Sequence, residues 1–220
     1  MCGRFTLHTP QAEILQAFDV TANGVTLVPR YNITPSQDIP VVRAGDDGRE
    51  LVLARWGLVP RWSKEARPKY STINARVESV AEKPTYRMAF RHKRCLVPAD
   101  GFYEWQKRGD KKVPHYIRMQ DESVFAFAGL WEHWEGGQDA FDSCAIITLP
   151  ASGIMTTIHT RMPAIIAAHD YDAWLDTNVT EKPDIMPKLA SALSGHLQAY
   201  AVSSYVNSPK NTDARCIEAL

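Results

Sequence analysis

RCLVPADGFYEW, the stretch from Arg94 to Trp105, contains two apolar runs separated by a Pro-Ala-Asp-Gly sequence. Runs rich in branched and aromatic residues favour β-strands, whereas proline, aspartate and glycine in succession favour a turn. The stretch therefore predicts strands over Arg94–Val97 and Phe102–Gln106, joined by a turn at 98–101. Short strands joined by short turns are typical of an antiparallel sheet.

The same pattern recurs along the rest of the chain. It lacks the regular alternation of strand and helix that a parallel, doubly wound sheet requires. We therefore predict an α+β fold with a largely antiparallel, barrel-like β core and peripheral helices, in a single domain spanning 1–220. The further predicted strands are Phe5–His8, Ile39–Arg43, Leu51–Trp56, Val113–Met119, Val124–Trp131, Ser143–Leu149 and Tyr200–Val206, and the predicted helices are one after Thr9-Pro10, one between Val80 and Arg91, and those at Ala167–Leu175 and Pro187–Leu197.

Composition narrows the class of protein. The 220 residues are 45% hydrophobic and 23% charged, which is ordinary for a globular domain. No apolar run approaches the roughly 18 residues of a membrane span, and no secretory signal is recognisable. The four cysteines are widely spaced and form no C-x-x-C pair, so neither a zinc site nor a disulfide framework is predicted. We expect reduced thiols, a cytoplasmic protein, no metal and no cofactor.

Charge is unevenly distributed, although the formal net charge is zero. Between residues 54 and 118 the sequence has 16 Lys and Arg against 6 Asp and Glu, and between 119 and 185 it has 2 against 11. The basic block would suit a surface that attracts phosphates. The alternative is that the two blocks pack together and neutralise each other, and the sequence leaves both open.

Cys2 follows the initiator methionine directly, so removal of Met1 by an aminopeptidase would give it a free α-amine beside its thiol. An aldehyde condenses with such an amine to an imine, and the neighbouring thiol then closes a five-membered thiazolidine at high effective concentration. A ring-opened abasic sugar in DNA is an aldehyde of this kind. Alternatively, the thiolate could attack a carbonyl with the amine as its base, as in N-terminal nucleophile hydrolases, or Cys2 could simply begin a strand.

Two further segments carry residues suited to proton transfer. Glu104 lies in an aromatic stretch, where loss of hydration would favour the protonated form that general acid catalysis uses. His159, in TIHTRMP, could donate to a phosphate or a ring oxygen, or accept a proton. Alternatively, Glu104 could be a strand-end glutamate paired with an arginine. His159 could be a structural histidine held by hydrogen bonds.

The segment INARVE, residues 73–78, would place Asn74, Arg76 and Glu78 on one face of a strand. An amide beside a guanidinium offers several donors to an anion, although a buried polar ladder would show the same pattern. Trp56, Trp62 and Trp105 are interleaved with the basic residues, an arrangement that can stack unpaired bases.

Taken together, these motifs resemble the SRAP family, the SOS-response-associated peptidase-like proteins. The resemblance extends from Met1 to about Cys216, and the acidic stretch 132–142 and the loop 63–70 contain no motif of it. The segments that carry it, in chain order, are MCGRF, RYNITPSQ, RWGLVPRW, INARVE, RCLVPADGFYEW, IHTRMP and VNSPKN.

The resemblance implies the SRAP fold and a protein that crosslinks to abasic sites in single-stranded DNA. It implies that Cys2 forms the thiazolidine after Met1 is removed, that Asn74 holds the aminothiol and the opened sugar, and that Glu104 assists proton transfer. His159 would act on the sugar oxygen, favouring ring opening and slowing reversal of the crosslink. The DNA contacts implied are Arg4 and Arg76 on phosphates flanking the lesion, and Pro35 as a wedge against the stacked bases with Trp62 nearby. Arg161 is implied as a further DNA-binding residue.

The resemblance also implies peptidase activity, with the protein's own Met1 as the substrate. A cysteine-type peptidase or amidohydrolase acting on other amides is the alternative function, and a non-covalent DNA-binding module is a third. The expected partner is single-stranded DNA with abasic sites, without a membrane. We expect a monomer that associates with the nucleoid when it is engaged.

Overall fold

The computed structural model describes residues 2–136, 139–189 and 196–220. Strands predominate and the α-helices are short, as the sequence predicts. Short 3₁₀ turns occupy Gly153–Thr157, Ala168–Asp170, Met186–Leu189, Ser204–Asn207 and Ala214–Ile217. The other elements are β1 (Phe5–Leu7), α1 (Gln11–Ala17), β2 (Val20–Asn23), β3 (Arg30–Ile33), β4 (Asp38–Gly45), β5 (Gly48–Trp56), β6 (Asn74–Arg76), α2 (Arg87–His92), β7 (Arg94–Ala99), β8 (Gly101–Arg108), β9 (Lys111–Met119), β10 (Phe125–Gly136), β11 (Asp139–Pro150), β12 (Arg161–Pro163), β13 (Ile165–Ile166), α3 (Tyr171–Leu175), α4 (Lys182–Ile185) and β14 (Leu197–Ala201).

Five strands close into a barrel. The ring runs β4-β7-β10-β11-β5 and returns to β4, and the parallel pairing of β11 with β5 completes it. A second sheet has the order β14-β9-β8-β1-β3 and all its pairings are antiparallel. The predicted α+β, barrel-like architecture is therefore confirmed.

The stretch Arg94–Trp105 joins these two sheets. Strand β7 lies in the barrel and β8 in the second sheet, and Asp100 alone separates them. The predicted four-residue turn at 98–101 is therefore wrong, because β7 continues through Pro98, which is opposite Ala126 of β10. Pro98 is tolerated there since β4 pairs with β7 only at Leu96, so one flank of β7 is already unpaired at Pro98.

Asp100, where the chain crosses from the barrel to the second sheet, is bound to the N-terminal segment. Its carboxylate accepts hydrogen bonds from the Thr6 hydroxyl at 2.5 Å and from the Thr9 backbone N–H at 2.9 Å. Gly101 follows because the Tyr116 hydroxyl would lie only 2.1 Å from a Cβ at that position. The sequence of the crossing thus positions β1, and with it the residues that precede β1.

Aromatic side chains fill the space between the sheets. Phe5 of β1 packs edge-on against Trp56 of the barrel, with ring centroids 5.2 Å apart, and against Phe127 at 5.9 Å. Phe102 of β8 also meets Phe127, at 5.8 Å. Because all four rings are buried, β1 and β8 are held against the barrel wall.

Three further predictions need correction. The helix predicted between Val80 and Arg91 begins only at Arg87, because Pro84 interrupts the earlier residues. The strand predicted over Tyr200–Val206 ends at Ala201, where the Ser203 side chain accepts the Tyr205 N–H and starts a 3₁₀ turn. The helix predicted at Pro187–Leu197 is a 3₁₀ turn up to Leu189, residues 190–195 lie outside the described residues, and Leu197 begins β14.

Candidate active site

Cys2 is positioned by β1, an inner strand of the second sheet. Strand β1 lies between β3 and β8, and the Arg4 carbonyl accepts the Tyr103 N–H at 3.0 Å. The Cys2 side chain is wholly buried, with its Sγ 3.9 Å from the Arg4 carbonyl oxygen. Burial raises the pKa of the Cys2 thiol, and the nearby Glu104 carboxylate raises it further. Met1 lies outside the described residues.

Asn74 holds the backbone of Cys2. Its Nδ2 donates to the Cys2 carbonyl oxygen at 2.7 Å, across 72 positions of sequence. The pairing of β6 with β11 fixes Asn74 opposite Ile146, and the Tyr86 hydroxyl donates to the Asn74 carbonyl at 3.2 Å. The Asn74 Oδ1 is buried and accepts no hydrogen bond from the described residues. Such an atom usually has a partner, so it is placed to receive a donor from a ligand or from a rearranged N-terminus.

Glu104 lies on β8, the neighbour of β1, and only 3% of it is exposed. Its strand partner on the other side is His115. Its negative charge raises the pKa of the Cys2 thiol. A buried carboxylate beside a thiol can accept or donate protons at that position.

His159 follows the 3₁₀ turn Gly153–Thr157 and is half-buried. The backbone N–H of Arg161 donates to the His159 Nδ1 at 3.0 Å. Since Nδ1 accepts this bond, a neutral His159 ring carries its proton on Nε2. The Gln106 Nε2 donates to the Thr157 carbonyl at 2.6 Å, which fastens this turn to β8.

One open cleft of about 620 Å³ brings these elements together. Glu104 and His159 line it, and so does Gly3, the residue directly after Cys2. The structure therefore places Cys2, Asn74, Glu104 and His159, which are up to 157 positions apart in sequence, around one region. The remaining lining residues are Arg4, Trp105, Lys107, Lys112 and Asn207.

Arg4 lines the cleft but is also engaged in the fold. Its Nη1 donates to the Asn32 Oδ1 at 2.9 Å and to the Val206 carbonyl at 2.7 Å, and its Nη2 donates to the Asn207 carbonyl at 3.2 Å. These bonds draw the VNSPKN segment against the cleft. A phosphate contact by Arg4 would have to use the donors that remain.

Arg161 and Arg76 both interact electrostatically with Glu78. Arg161 forms an ion pair with Glu78, and its Nη2 donates to the Thr148 carbonyl at 2.6 Å. The hydrogen bond from Arg161 lowers the pKa of the Glu78 carboxyl. Arg76 is exposed. Asn74 is half-buried and holds Cys2, whereas Arg76 and Glu78 are exposed, so the three residues predicted on one face differ in burial.

Pro35 and Trp62 lie on adjoining surface hollows that share residues 67–70. Trp62 is 65% exposed and Tyr70 is 85% exposed, whereas Pro35 is half-buried. Most tryptophans are largely buried, so the exposed indole of Trp62 is unusual. Its position among basic residues fits stacking with unpaired bases. Trp56, by contrast, is completely buried in the core.

Sequence reasoning missed Asn32, Gln106, Lys107, Lys112 and Asn207. Asn32 donates to the Asn211 carbonyl at 2.7 Å, and the Asn207 Oδ1 accepts the Trp105 Nε1–H at 2.8 Å. The motifs RYNITPSQ and VNSPKN contained Asn32 and Asn207, but nothing in either motif indicated that they would meet. Lys107 and Lys112 belong to the basic block, and nothing in the sequence distinguishes them from the other cations of that block.

The two charge blocks are partly paired. Lys93 of the basic block binds Glu132 of the acidic block, and Lys182 of the acidic block lies 3.4 Å from Glu82 of the basic one. All four cysteines are buried and free. Within residues 2–136, 139–189 and 196–220, no group of three His, Cys, Asp or Glu side chains could hold a metal ion. Among the same residues, no helix is long and apolar enough to span a bilayer.

The chain is 40% identical over 225 residues to the abasic site processing protein YoaM of Bacillus subtilis, covering 100% of this chain and 98% of YoaM. It is 34% identical to the abasic site processing protein HMCES of Xenopus tropicalis, covering 87% of this chain and 66% of HMCES.

A crystal structure of a Bacteroides thetaiotaomicron protein superposes with a TM-score of 0.88 at 24% identity, over the full length of both chains, and shows the same fold. The family model "SOS response associated peptidase (SRAP)" matches residues 1–209. The chain therefore belongs to the SRAP family.

Proposed function

We propose that this protein captures abasic sites in single-stranded DNA as a covalent thiazolidine on Cys2, after Met1 has been removed, and so shields the lesion. The observation that carries the proposal is the 2.7 Å hydrogen bond from Asn74 to the Cys2 carbonyl, which fixes the second residue beside Glu104 and the cleft. The names of the relatives YoaM and HMCES as abasic site processing proteins support it.

The chemistry balances with the loss of one water. The α-amine of Cys2 attacks C1 of the ring-opened sugar, and water leaves as the imine forms. The Sγ then adds to the imine carbon while the thiol proton passes to the nitrogen, closing the ring. Burial and Glu104 raise the pKa of the thiol, which favours the neutral thiol over the thiolate.

Glu104 is the group we assign to proton transfer in these steps. It is buried beside Cys2, where it can protonate the departing hydroxyl and take up a proton from the amine. The Asn74 Oδ1 has no hydrogen-bond partner among the described residues. It would accept a hydrogen bond from the new α-amine, and this bond would direct the lone pair of the amine nitrogen into the cleft.

His159 would act on the oxygen of the sugar ring. With Nδ1 occupied by the Arg161 N–H, the neutral ring presents Nε2–H as a hydrogen-bond donor. A donor at the ring oxygen stabilises the negative charge that develops when the C1–O bond breaks. A group that assists ring opening assists ring closure too, so His159 would promote both directions rather than hold the crosslink against reversal.

The DNA strand would be bound by cations and aromatic surfaces around the cleft. Arg76 is exposed and lies near Arg161, and both would contact phosphates flanking the lesion, together with Arg4. Trp62 is exposed and Pro35 lies on the adjoining hollow, which supports contact with the stacked bases beside the lesion.

The experiment that tests this function compares two oligonucleotides that differ only in one abasic site. With the abasic strand we expect a protein–DNA adduct that survives denaturant, and with the intact strand we expect none. Equal adduct yield with both strands would contradict the proposal.

A peptidase function has support in the family's name. We propose that any such activity removes the protein's own Met1, with Cys2 as nucleophile. Multiple turnover of a peptide or amide substrate by nuclease-treated protein would instead favour the alternative, a cysteine-type amidohydrolase that acts on other molecules.

The variant His159→Ala is expected to slow adduct formation by about 100-fold, because one donor to the developing oxyanion is lost. Its affinity for DNA carrying a ring-closed abasic analogue should change by less than about threefold. His159→Gln, whose amide N–H can reach the position of Nε2, should recover part of the rate, and His159→Asn should not. An equal loss of rate and affinity in His159→Ala would make His159 a binding residue instead.

A further inference from the structure

The tip of the β8–β9 hairpin places like charges directly opposite each other. The register pairs Lys107 with Lys112 and Arg108 with Lys111, and Asp110 is the one carboxylate in the segment. All four cations are exposed, and within the described part of the chain none of them forms an ion pair. Like charges across a strand pair are destabilising, so this hairpin is built at a cost to the fold that an anionic ligand would offset.

The two cation pairs lie on different faces of the hairpin. Side chains alternate along a strand, so Lys107 shares a face with Trp105, and its partner Lys112 shares it too. Lys107 and Lys112 line the cleft, whereas the other pair does not. Arg4 lies over the Trp105 ring, 5.9 Å from its centroid, on the same side of the sheet. One face of the hairpin therefore continues the basic lining of the cleft.

An abasic site offers no base edge for recognition. Beyond the sugar aldehyde, the charged groups available for binding at such a site are the phosphates on either side of it. An ammonium group is a flexible point charge that suits phosphate oxygens and carries no sequence preference. The pair at 107 and 112 meets these requirements in the cleft that Glu104 and His159 also line.

We infer that Lys107 and Lys112 bind backbone phosphates of the DNA strand beside the lesion, and that this face of the hairpin forms one wall of the strand's path. The inference rests on the proposed function and extends it, since it adds a phosphate site outside the residues that carry the chemistry. The opposite face, with Arg108 and Lys111, takes no part in it.

The test measures equilibrium binding of the full-length protein to a single strand carrying a tetrahydrofuran abasic analogue, which cannot open to an aldehyde. The variant Lys107→Gln/Lys112→Gln should bind about tenfold more weakly at physiological salt. Its slope of log K against log salt should be shallower by about 1.4, because each lost contact with single-stranded DNA contributes roughly 0.7.

The matched control is Arg108→Gln/Lys111→Gln, which removes the same charge from the same hairpin on its other face. This control should keep the wild-type slope, and both variants should melt at or above the wild-type temperature because each relieves repulsion. If both variants lower the affinity and the salt slope equally, the effect is general electrostatic attraction and the inference is overturned. The inference is also overturned if Lys107→Gln/Lys112→Gln, the cleft-side variant, keeps the wild-type slope.

The inference and the proposed function can fail separately. If the wild type binds the analogue and crosslinks a natural abasic strand while the cleft-side variant keeps its slope, the hairpin site is wrong and the proposed function stands. If the wild type shows neither binding nor crosslinking, the proposed function fails and the hairpin site fails with it.

Discussion

Cys2→Ala is expected to give no denaturant-resistant adduct with abasic single-stranded DNA, a loss of at least about 100-fold relative to the wild type. The variant keeps an α-amine, so it can still form an imine, but an imine hydrolyses in water. The second step, in which sulfur closes the ring, owes its rate to the intramolecular position of the thiol. Gel analysis after heating in denaturant measures the adduct.

Borohydride treatment separates the two halves of the reaction. Reduction traps an imine as a stable amine, so Cys2→Ala and Cys2→Ser should both give adducts when the reductant is present and not otherwise. Cys216→Ala, which removes another buried free thiol, is the matched control and should crosslink as the wild type does. A durable adduct of Cys2→Ala without reductant would remove sulfur from the mechanism.

Glu104→Gln is expected to slow adduct formation by about 100-fold, within the usual range for loss of a general acid–base group. The amide keeps the shape of the carboxyl group but can neither take up nor release a proton. Single-turnover measurement at saturating protein isolates the chemical steps from binding. DNA affinity should stay close to that of the wild type.

Glu132→Gln provides the matched control for this change. Glu132 is likewise a buried glutamate, 6% exposed, but it binds Lys93 and does not line the cleft. It should crosslink at the wild-type rate. If the two variants slow the reaction equally, or if Glu104→Gln does not slow it at all, Glu104 serves the structure and not the proton transfer.

The sequence predicted much of the fold because most strands have strong local signals. The hairpin of β4 and β5 and the long strands β9 to β11 follow directly from branched and aromatic runs. Strands β2, β3, β12 and β13 were missed, since each has four residues or fewer and is defined by its partners rather than by its own pattern.

The stretch Arg94–Trp105 shows where local reasoning ends. Both strands were recognisable, but nothing local indicates that β7 and β8 enter different sheets. That outcome depends on Asp100 accepting bonds from Thr6 and Thr9, more than 90 positions away. The closure of the barrel by β5 and β11 is a long-range pairing of the same kind.

The candidate site divides in a similar way. Cys2 was recognisable because the chemistry of an N-terminal aminothiol is intrinsic to one residue. The bond between Asn74 and Cys2, and the bond that sets the proton position on His159, appear only in three dimensions. The hairpin lysines could be told apart from other cations only once the strand register was known.

Intact mass measurement tests the bifunctional N-terminus most directly, first on the purified protein and then after incubation with an abasic oligonucleotide. We predict a chain that lacks Met1, and then a new species heavier by the mass of the oligonucleotide less one water. A chain that retains Met1 and still forms the adduct in full yield would contradict the account.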